Sequence, residues 1–304
     1  MADHPTEDTR GGFVALIGAP NAGKSTLLNT LVGSKVTIVS HKVQTTRALV
    51  RGIAVEGSAQ LIFVDTPGIF APKRRLDRAM VTSAWSGAHD ADVVAVLIDA
   101  RKGLDEEAEV ILTGLALLGQ PKLLLLNKID LVEREKLLAL AKAANDRVPF
   151  AATFMISALS GDGVSDAKRW LAEKMPPGPW LYPPDQMSDA PLRQLAAEVT
   201  REKLFHRLHQ ELPYQSTVET ESWKELRDGS VRIEQTIYVE RESQRKIVLG
   251  KGGAAIKAIS AAARKEIAEI VEKPVHLFLF VKVRAGWGDD PERYRGMGLE
   301  FPKE

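Results

Sequence analysis

The sequence predicts an α/β sheet with helices on both faces, followed by a smaller α+β module. Three observations carry this. Through the first 175 residues, short apolar runs alternate with helix-length stretches. Five prolines then crowd into nine residues, Pro176, Pro177, Pro179, Pro183 and Pro184. Beyond them the order changes to helix, two strands, two helices and a last strand.

In the first part strands are expected at Phe13–Ile17, Leu49–Val55, Gln60–Val64, Asp92–Asp99, Lys122–Leu126 and Thr153–Ile156. The purely apolar runs Val93–Ile98 and Leu123–Leu126 suit strands buried on both faces. Helices are expected at Arg75–Ala88, Asp105–Leu118, Arg134–Arg147 and Gly163–Glu173. Prolines remove backbone donors and disfavour helix, so residues 176–190 read as a Pro-rich linker. The second part starts with a helix over Pro191–Gln210. Strands Ser216–Lys224 and Val231–Glu240 follow, joined by a turn at Asp228-Gly229. In the second of these, Val231, Ile233, Ile237 and Val239 alternate with polar residues, the pattern of a half-buried strand. A short helix near Ser243–Leu249, a longer one with Ile256, Ile259, Ala263, Ile267 and Ile270 on one face, and a strand Val275–Val283 complete the chain.

The 304 residues contain no cysteine, which excludes disulfides, thiolate zinc sites and a cysteine nucleophile. The polar stretch 1–12 reads as a flexible N-terminus and not as a signal peptide. No apolar run approaches the roughly 20 residues of a membrane span. The net charge is +1, so any nucleic-acid binding must rest on a local patch.

Gly18-Ala-Pro-Asn-Ala-Gly23-Lys24-Ser25 fits G-x-x-x-x-G-K-[ST], directly after a strand and before a helix. Backbone N–H groups and a helix N-terminus would there point at phosphate oxygens. Gly18, Pro20, Asn21, Ala22, Gly23, Lys24, Ser25 and Thr26 are the expected nucleotide contacts, with Lys24 on the β- and γ-phosphates and Ser25 on Mg²⁺. Asp65-Thr66-Pro67-Gly68 ends a strand. Asp65 can hold the Mg²⁺ shell, and the Gly68 amide can meet a γ-phosphate. Asn127-Lys128-Ile129-Asp130 ends another strand. The Asp130 carboxylate can accept from the two donors of guanine, a pair adenine lacks. Asn127 would support the loop and Lys128 would cover the ring. Ser157-Ala158-Leu159 would close over the base.

These four elements, in this order, resemble the Ras-like G domain of small GTPases over about Gly11–Met175. The resemblance implies a P-loop NTPase fold at residues 13–175, with catalysis drawing on Lys24, Gly68 and a mobile threonine that caps Mg²⁺. Thr46, directly before Arg47, is favoured, and Thr45 stays open. Where many small GTPases place a water-orienting glutamine, this chain has Ile69. GTPases with that replacement often carry a K⁺-ligating asparagine in the P-loop, a position that Asn21 matches. Turnover is expected to be slow, on the order of 10⁻⁴ to 10⁻² s⁻¹.

In the second part, Gly250-Lys251-Gly252-Gly253 is a G-x-x-G loop between two helices. Residues 241–265 hold seven basic side chains against one acid, Glu242. Arg241, Arg245, Lys246, Gly250, Lys251, Gly252, Gly253 and Lys257 are the expected RNA contacts. The loop and the element order resemble a type II KH domain, here residues 191–304 with a C-terminal tail. A G domain followed by a KH module resembles the bacterial Era-type GTPases, through Gln44-Thr-Thr-Arg47, the run Val239–Gly253 and Lys282–Pro291. The resemblance implies a factor that binds 16S rRNA near its 3′ end and assists small (30S) subunit assembly. It also implies loose association with the inner membrane; separately, a cytoplasmic monomer is expected. Gly288 departs from the family pattern, which leaves the tail's RNA contacts open.

Two other functions compete. A GTPase serving tRNA modification would carry a catalytic cysteine or a partner enzyme, and a passive RNA-binding adaptor would not need Lys24, Ser25, Asp65 and Asp130 intact. His206 and His209 sit three apart on a helix but lack the carboxylate to complete a metal site. Trp287 and Tyr294 could stack bases or pack the tail.

Overall fold

The computed structural model describes residues 8–40, 42, 45–208, 212, 216–286, 290–296 and 298–302. The chain forms two compact units. The first comprises Met1–Val36, Thr46–Asp189 and Met297–Glu304, the second Thr37–Thr45 and Ala190–Gly296.

The first unit is built on a six-stranded sheet. In chain order its elements are β1 (Arg10–Gly18), α1 (Lys24–Val32), β2 (Val50–Glu56), β3 (Ala59–Asp65), α2 (Arg75–Asp90), β4 (Val93–Asp99), α3 (Glu106–Leu115), β5 (Lys122–Asn127), α4 (Arg134–Asn145), β6 (Ala152–Ile156) and α5 (Val164–Lys174). The strand order is β2-β3-β1-β4-β5-β6. Only β2, next to its hairpin partner β3, runs antiparallel. Alternation along β1 divides the core. Val14 and Leu16 pack with Leu27 and Leu28 of α1 and Leu171 of α5. Ala15 and Ile17 pack with Ala84 and Ala88 of α2 and Ile111 and Leu115 of α3. The parallel strands therefore end together, which brings their carboxyl-terminal loops to one edge.

Three local differences from the sequence reading have physical causes. β1 starts at Arg10 because Gly11 and Gly12 continue the ladder opposite Gln60 and Leu61. α3 ends at Leu115, and residues 116–118 turn through i→i+3 bonds such as Leu117 N to Gly114 O. The Pro-rich segment is docked on the first unit. Gly11 N donates to Pro176 O at 3.1 Å, and Gly178 N donates to Thr9 O at 3.0 Å. Ile53 N donates to Met187 O at 2.8 Å. Gln60, fully buried, accepts from Leu181 N and Tyr182 N and donates to Tyr182 O. Proline carbonyls still accept hydrogen bonds, so a proline-rich strand can lie along an edge.

The second unit holds α6 (Leu192–Arg207), β7 (Ser216–Glu225), β8 (Val231–Val239), α7 (Glu242–Leu249), α8 (Ala254–Val271), β9 (Val275–Val283) and α9 (Pro291–Gly296). Its sheet order is β7-β8-β9. β7 and β8 are antiparallel, and β8 and β9 are parallel. A parallel pair needs a crossover, which α7 and α8 supply. Leu204, Val218, Ile237, Val248 and Ile259 form one core cluster, and Val199, Ile233, Ala263 and Ile267 another. Buried Thr200 donates to Gln235 Oε1. Near α6, Val39 N donates to Glu202 Oε1 at 2.8 Å. Lys42 donates to the Phe205 and Leu208 carbonyls, and Arg201 to the Thr45 carbonyl. The short α9 was not foreseen, and it carries the fully buried Tyr294. That burial leaves Tyr294 no ring face for a base. Trp287, Gly288 and His209 lie outside the described residues, while His206 is exposed. Among the described residues no helix is long and apolar enough to cross a membrane.

Candidate functional site

The glycine-rich loop runs from the end of β1 to Lys24, the first residue of α1. Gly23 has φ +106°, and a Cβ there would stand 2.2 Å from Asn127 Nδ2. Glycine is thus required for both conformation and space. Asn127 Nδ2 donates to Ala22 O at 2.8 Å, and its Oδ1 accepts from Ala158 N at 2.9 Å. One buried side chain therefore ties the glycine-rich loop to the Ser157-Ala158-Leu159 loop. Ser157 and Ala158 are buried, whereas Leu159 is 85% exposed. Pro20 is buried, Asn21 is exposed, and Thr26 lies half-buried in the first turn of α1.

Lys24 is 6% exposed, and its Nζ donates to Gly18 O at 2.9 Å and Ala19 O at 3.0 Å. Burial lowers its pKa to about 8, against the opposing pull of Asp65 and Glu107. Its charge is thus set to respond to an anion.

Three oxygens meet beside it. Ser25 Oγ donates to Asp65 Oδ2 at 2.7 Å, and Thr46 Oγ1 donates to the same atom at 3.2 Å. Ser25 Oγ and Thr46 Oγ1 are 3.0 Å apart. Thr45 Oγ1 instead donates to Lys42 O at 2.6 Å. The geometry therefore places Thr46, and not Thr45, with Ser25 and Asp65. Two hydroxyls and a carboxylate fit a hard divalent cation. Gly68 passes close under Pro20, where an added Cβ would be 2.9 Å from the Pro20 ring and backbone. Thr66 points away from this cluster. Its hydroxyl donates to Leu16 O at 2.8 Å and pegs the loop to β1. Ile69 is buried in the core, and its N–H donates to Gly18 O at 3.1 Å.

The guanine-loop candidate follows β5. Lys128 has φ +69°, and its Nζ donates to Asn21 O and to Asp99 Oδ2, each at 2.6 Å. Asp99 stands opposite Asn127 in the β4–β5 register. Burial would raise the Asp99 pKa, but hydrogen bonds from Arg101 and Lys128 outweigh it and hold the value to about 2. Asp99 was missed in the sequence. Its one signal is a carboxylate at the carboxyl end of a buried strand. Asp130 is exposed in a single 3₁₀ turn, Ile129–Leu131, at the mouth of this loop.

In the second unit, Gly250, Gly252 and Gly253 have φ of +71°, +61° and +77°. These positive-φ glycines let α7 end and α8 begin within four residues. Lys251 and Lys257 are exposed, as are Arg241 and Lys246. Arg245 is half-buried, with its guanidinium bonded to Glu242 and to Val281 O on β9.

Residues 13–128 match the family described as 50S ribosome-binding GTPase, and residues 211–288 match the KH domain family. GTPase Era of Afipia carboxidovorans is 76% identical over 304 residues, covering 100% of this chain and 99% of that protein. GTPase Era of Bradyrhizobium sp. is 73% identical over 99% of this chain and 97% of its own length. The chain belongs to the Era family of GTPases. Two solved Era structures each superpose with a TM-score of 0.90 at 37% identity, covering 95% of this chain and 99% of the other. One is a variant of Aquifex aeolicus Era bound to GDP·AlF4⁻. The other is Era in complex with MgGDPNP and nucleotides 1506–1542 of 16S ribosomal RNA. Like its Era relatives, this chain is a GTPase with a Ras-like P-loop G domain followed by a type II KH domain.

Proposed function

We propose that this Era-family GTPase is a GTP-controlled switch that binds 16S rRNA near its 3′ end and assists assembly of the small (30S) ribosomal subunit. The observation that carries the nucleotide half is the meeting of Ser25, Thr46 and Asp65 beside Lys24 and the glycine-rich loop. The RNA half rests on the G-x-x-G loop with Lys251, Lys257, Arg241 and Lys246 around it, and on the related Era complex with 16S rRNA.

GTP would lie along Gly18–Thr26, with Lys24 on the phosphates and Gly68 N–H facing the γ-phosphate. Asp130 would take the guanine donors, Asn127 would hold the loops together, and Lys128 would brace Asn21. Ser25, Thr46 and Asp65 would hold Mg²⁺, which when bound neutralises charge on the transferring phosphate. Because Ile69 is core, no side chain at that position orients water. We assign to Asn21 a K⁺ whose charge substitutes for an arginine finger. Equal turnover in Na⁺ and K⁺ buffers would remove that assignment. The modules correspond in this reading to residues 13–175 and 191–304, in a cytoplasmic monomer with loose inner-membrane association.

The decisive experiment compares affinity for a 16S 3′-end oligonucleotide with a GTP analogue, GDP and no nucleotide. A switch requires a finite coupling, of the order of 1–3 kcal/mol. Identical affinities in all three states would end the switch reading and leave a GTPase with an independent RNA site.

A further inference from the structure

The outer face of the β7-β8-β9 sheet carries an aromatic pair that the function above does not use. Leu277 and Leu279 of β9 point into the core with the helices. The alternate residues point the other way. Phe278 is 44% exposed and Phe280 is 50% exposed. Two large rings standing two residues apart on one strand face are about 7 Å apart along the chain. The Arg232 guanidinium lies 4.8 Å from the Phe278 ring centroid and braces it from β8.

β9 itself is free of acids. From Lys273 to Arg284 the chain has no acidic residue and carries Lys273, His276, Lys282 and Arg284. Acids enter from the neighbouring strands, and Glu234 of β8 stands directly opposite Phe278. Glu234 is bonded to Arg232 at 2.8 Å, and Glu221 of β7 accepts from the Tyr238 hydroxyl at 2.9 Å. Glu225 and Asp290 each pair with a β9-side cation, Lys273 and Arg284. These four acids are each engaged by a partner, so the acid-free β9 with Lys282 on the ring face stays open to an anionic chain. β9 is also continuous with the G-x-x-G region, since Arg245 of α7 donates to Val281 O at 3.3 Å.

We infer that Phe278 and Phe280 form a base-stacking platform for single-stranded RNA that extends the track of the G-x-x-G loop. A KH loop clamps about four nucleotides, and exposed aromatics on a sheet accept further bases through their faces without reading sequence. Lys282 would meet a flanking phosphate. The inference rests on the RNA-binding reading of the KH module.

The test uses the full chain and two single-stranded RNAs sharing one core, of about four and about twelve nucleotides. Phe278→Ser/Phe280→Ser should weaken the longer RNA at least tenfold and leave the shorter unchanged. Phe280→Trp should keep the longer RNA's affinity, while Phe280→Leu, apolar but without a flat ring, should not. Ultraviolet crosslinking should place a nucleotide on the peptide containing residues 275–283. Unchanged affinity for the longer RNA in the double serine variant overturns the platform. So does unchanged RNA affinity accompanied by loss of binding to the protein components of the small subunit, which would assign the face to a protein. Lys251→Glu separates the two readings. If that variant binds both RNAs like the wild type, the G-x-x-G reading fails on its own.

Discussion

Asn127 reaches Ala158 as well as Ala22, so a single amide side chain joins the loops that follow β1, β5 and β6. It is 1% exposed, so both bonds are made out of water. Asn127→Ala would orphan the Ala158 N–H and the Ala22 carbonyl. Each orphaned buried group costs about 1–3 kcal/mol. We expect urea unfolding to show a loss of about 2–4 kcal/mol, and GTP affinity to fall further than stability alone explains.

Lys24 gives the site a pH dependence with a definite sign. Its pKa is about 8 without an anion, and bound phosphates would raise it. Binding then takes up a proton above that value. GTP affinity should be flat below pH 8 and should weaken as pH rises through it, approaching tenfold per unit. Calorimetry at pH 8.5 in buffers of different ionisation enthalpy should report the proton uptake. For folding of the unliganded chain the depressed pKa acts in the other direction. The contribution of Lys24 to stability is fully present above its ordinary value of 10.5 and is lost as pH falls through about 8.

Gly68→Ala tests the tight passage under Pro20. The added methyl would meet the Pro20 backbone at 2.9 Å and displace the loop. GDP binding should survive within a few-fold, because the guanine loop and glycine-rich loop are untouched. Single-turnover hydrolysis should fall by more than tenfold, a loss of about 1.4 kcal/mol or more in transition-state stabilisation.

Asp99→Asn tests a residue that touches no expected nucleotide atom. It keeps the shape but removes the charge that holds Lys128 and Arg101. The Lys128 ammonium would lose its partner beside the Asn21 carbonyl. We expect a faster GDP release, by about tenfold, with little change in the chemical step. Stopped-flow release of a fluorescent GDP measures it, and an unchanged rate would show that Lys128 needs no anchor.

The strand–helix alternation, the four nucleotide motifs and the KH order were legible because each rests on local periodicity or fixed spacing. β9 appeared at the bounds expected, Val275–Val283. Other features depend on distant partners. Gln60 reads as a polar residue at a strand start, yet it is fully buried because the Pro-rich segment brings it backbone partners 121 and 122 residues away. Asp99 gains meaning only when β4 and β5 align it with Asn127. Thr45 and Thr46 are adjacent and chemically identical; the arginine that follows favours Thr46, and the fold puts its hydroxyl, and not that of Thr45, beside Ser25 and Asp65. Arg245 reads as one cation of a basic run, and its bonds to Val281 O of β9 and to Glu242 could be seen only in the fold.

The proline-rich strap bears on how this chain can be divided. Its carbonyls cap N–H groups at the start of β1 and along β2, and its backbone serves the buried Gln60 amide. An excised G module that stopped at Met175 would bare that amide and an unguarded sheet margin, inviting edge-to-edge clumping. The same module carried on to Asp189 would bring its own border with it and should remain soluble at higher concentration.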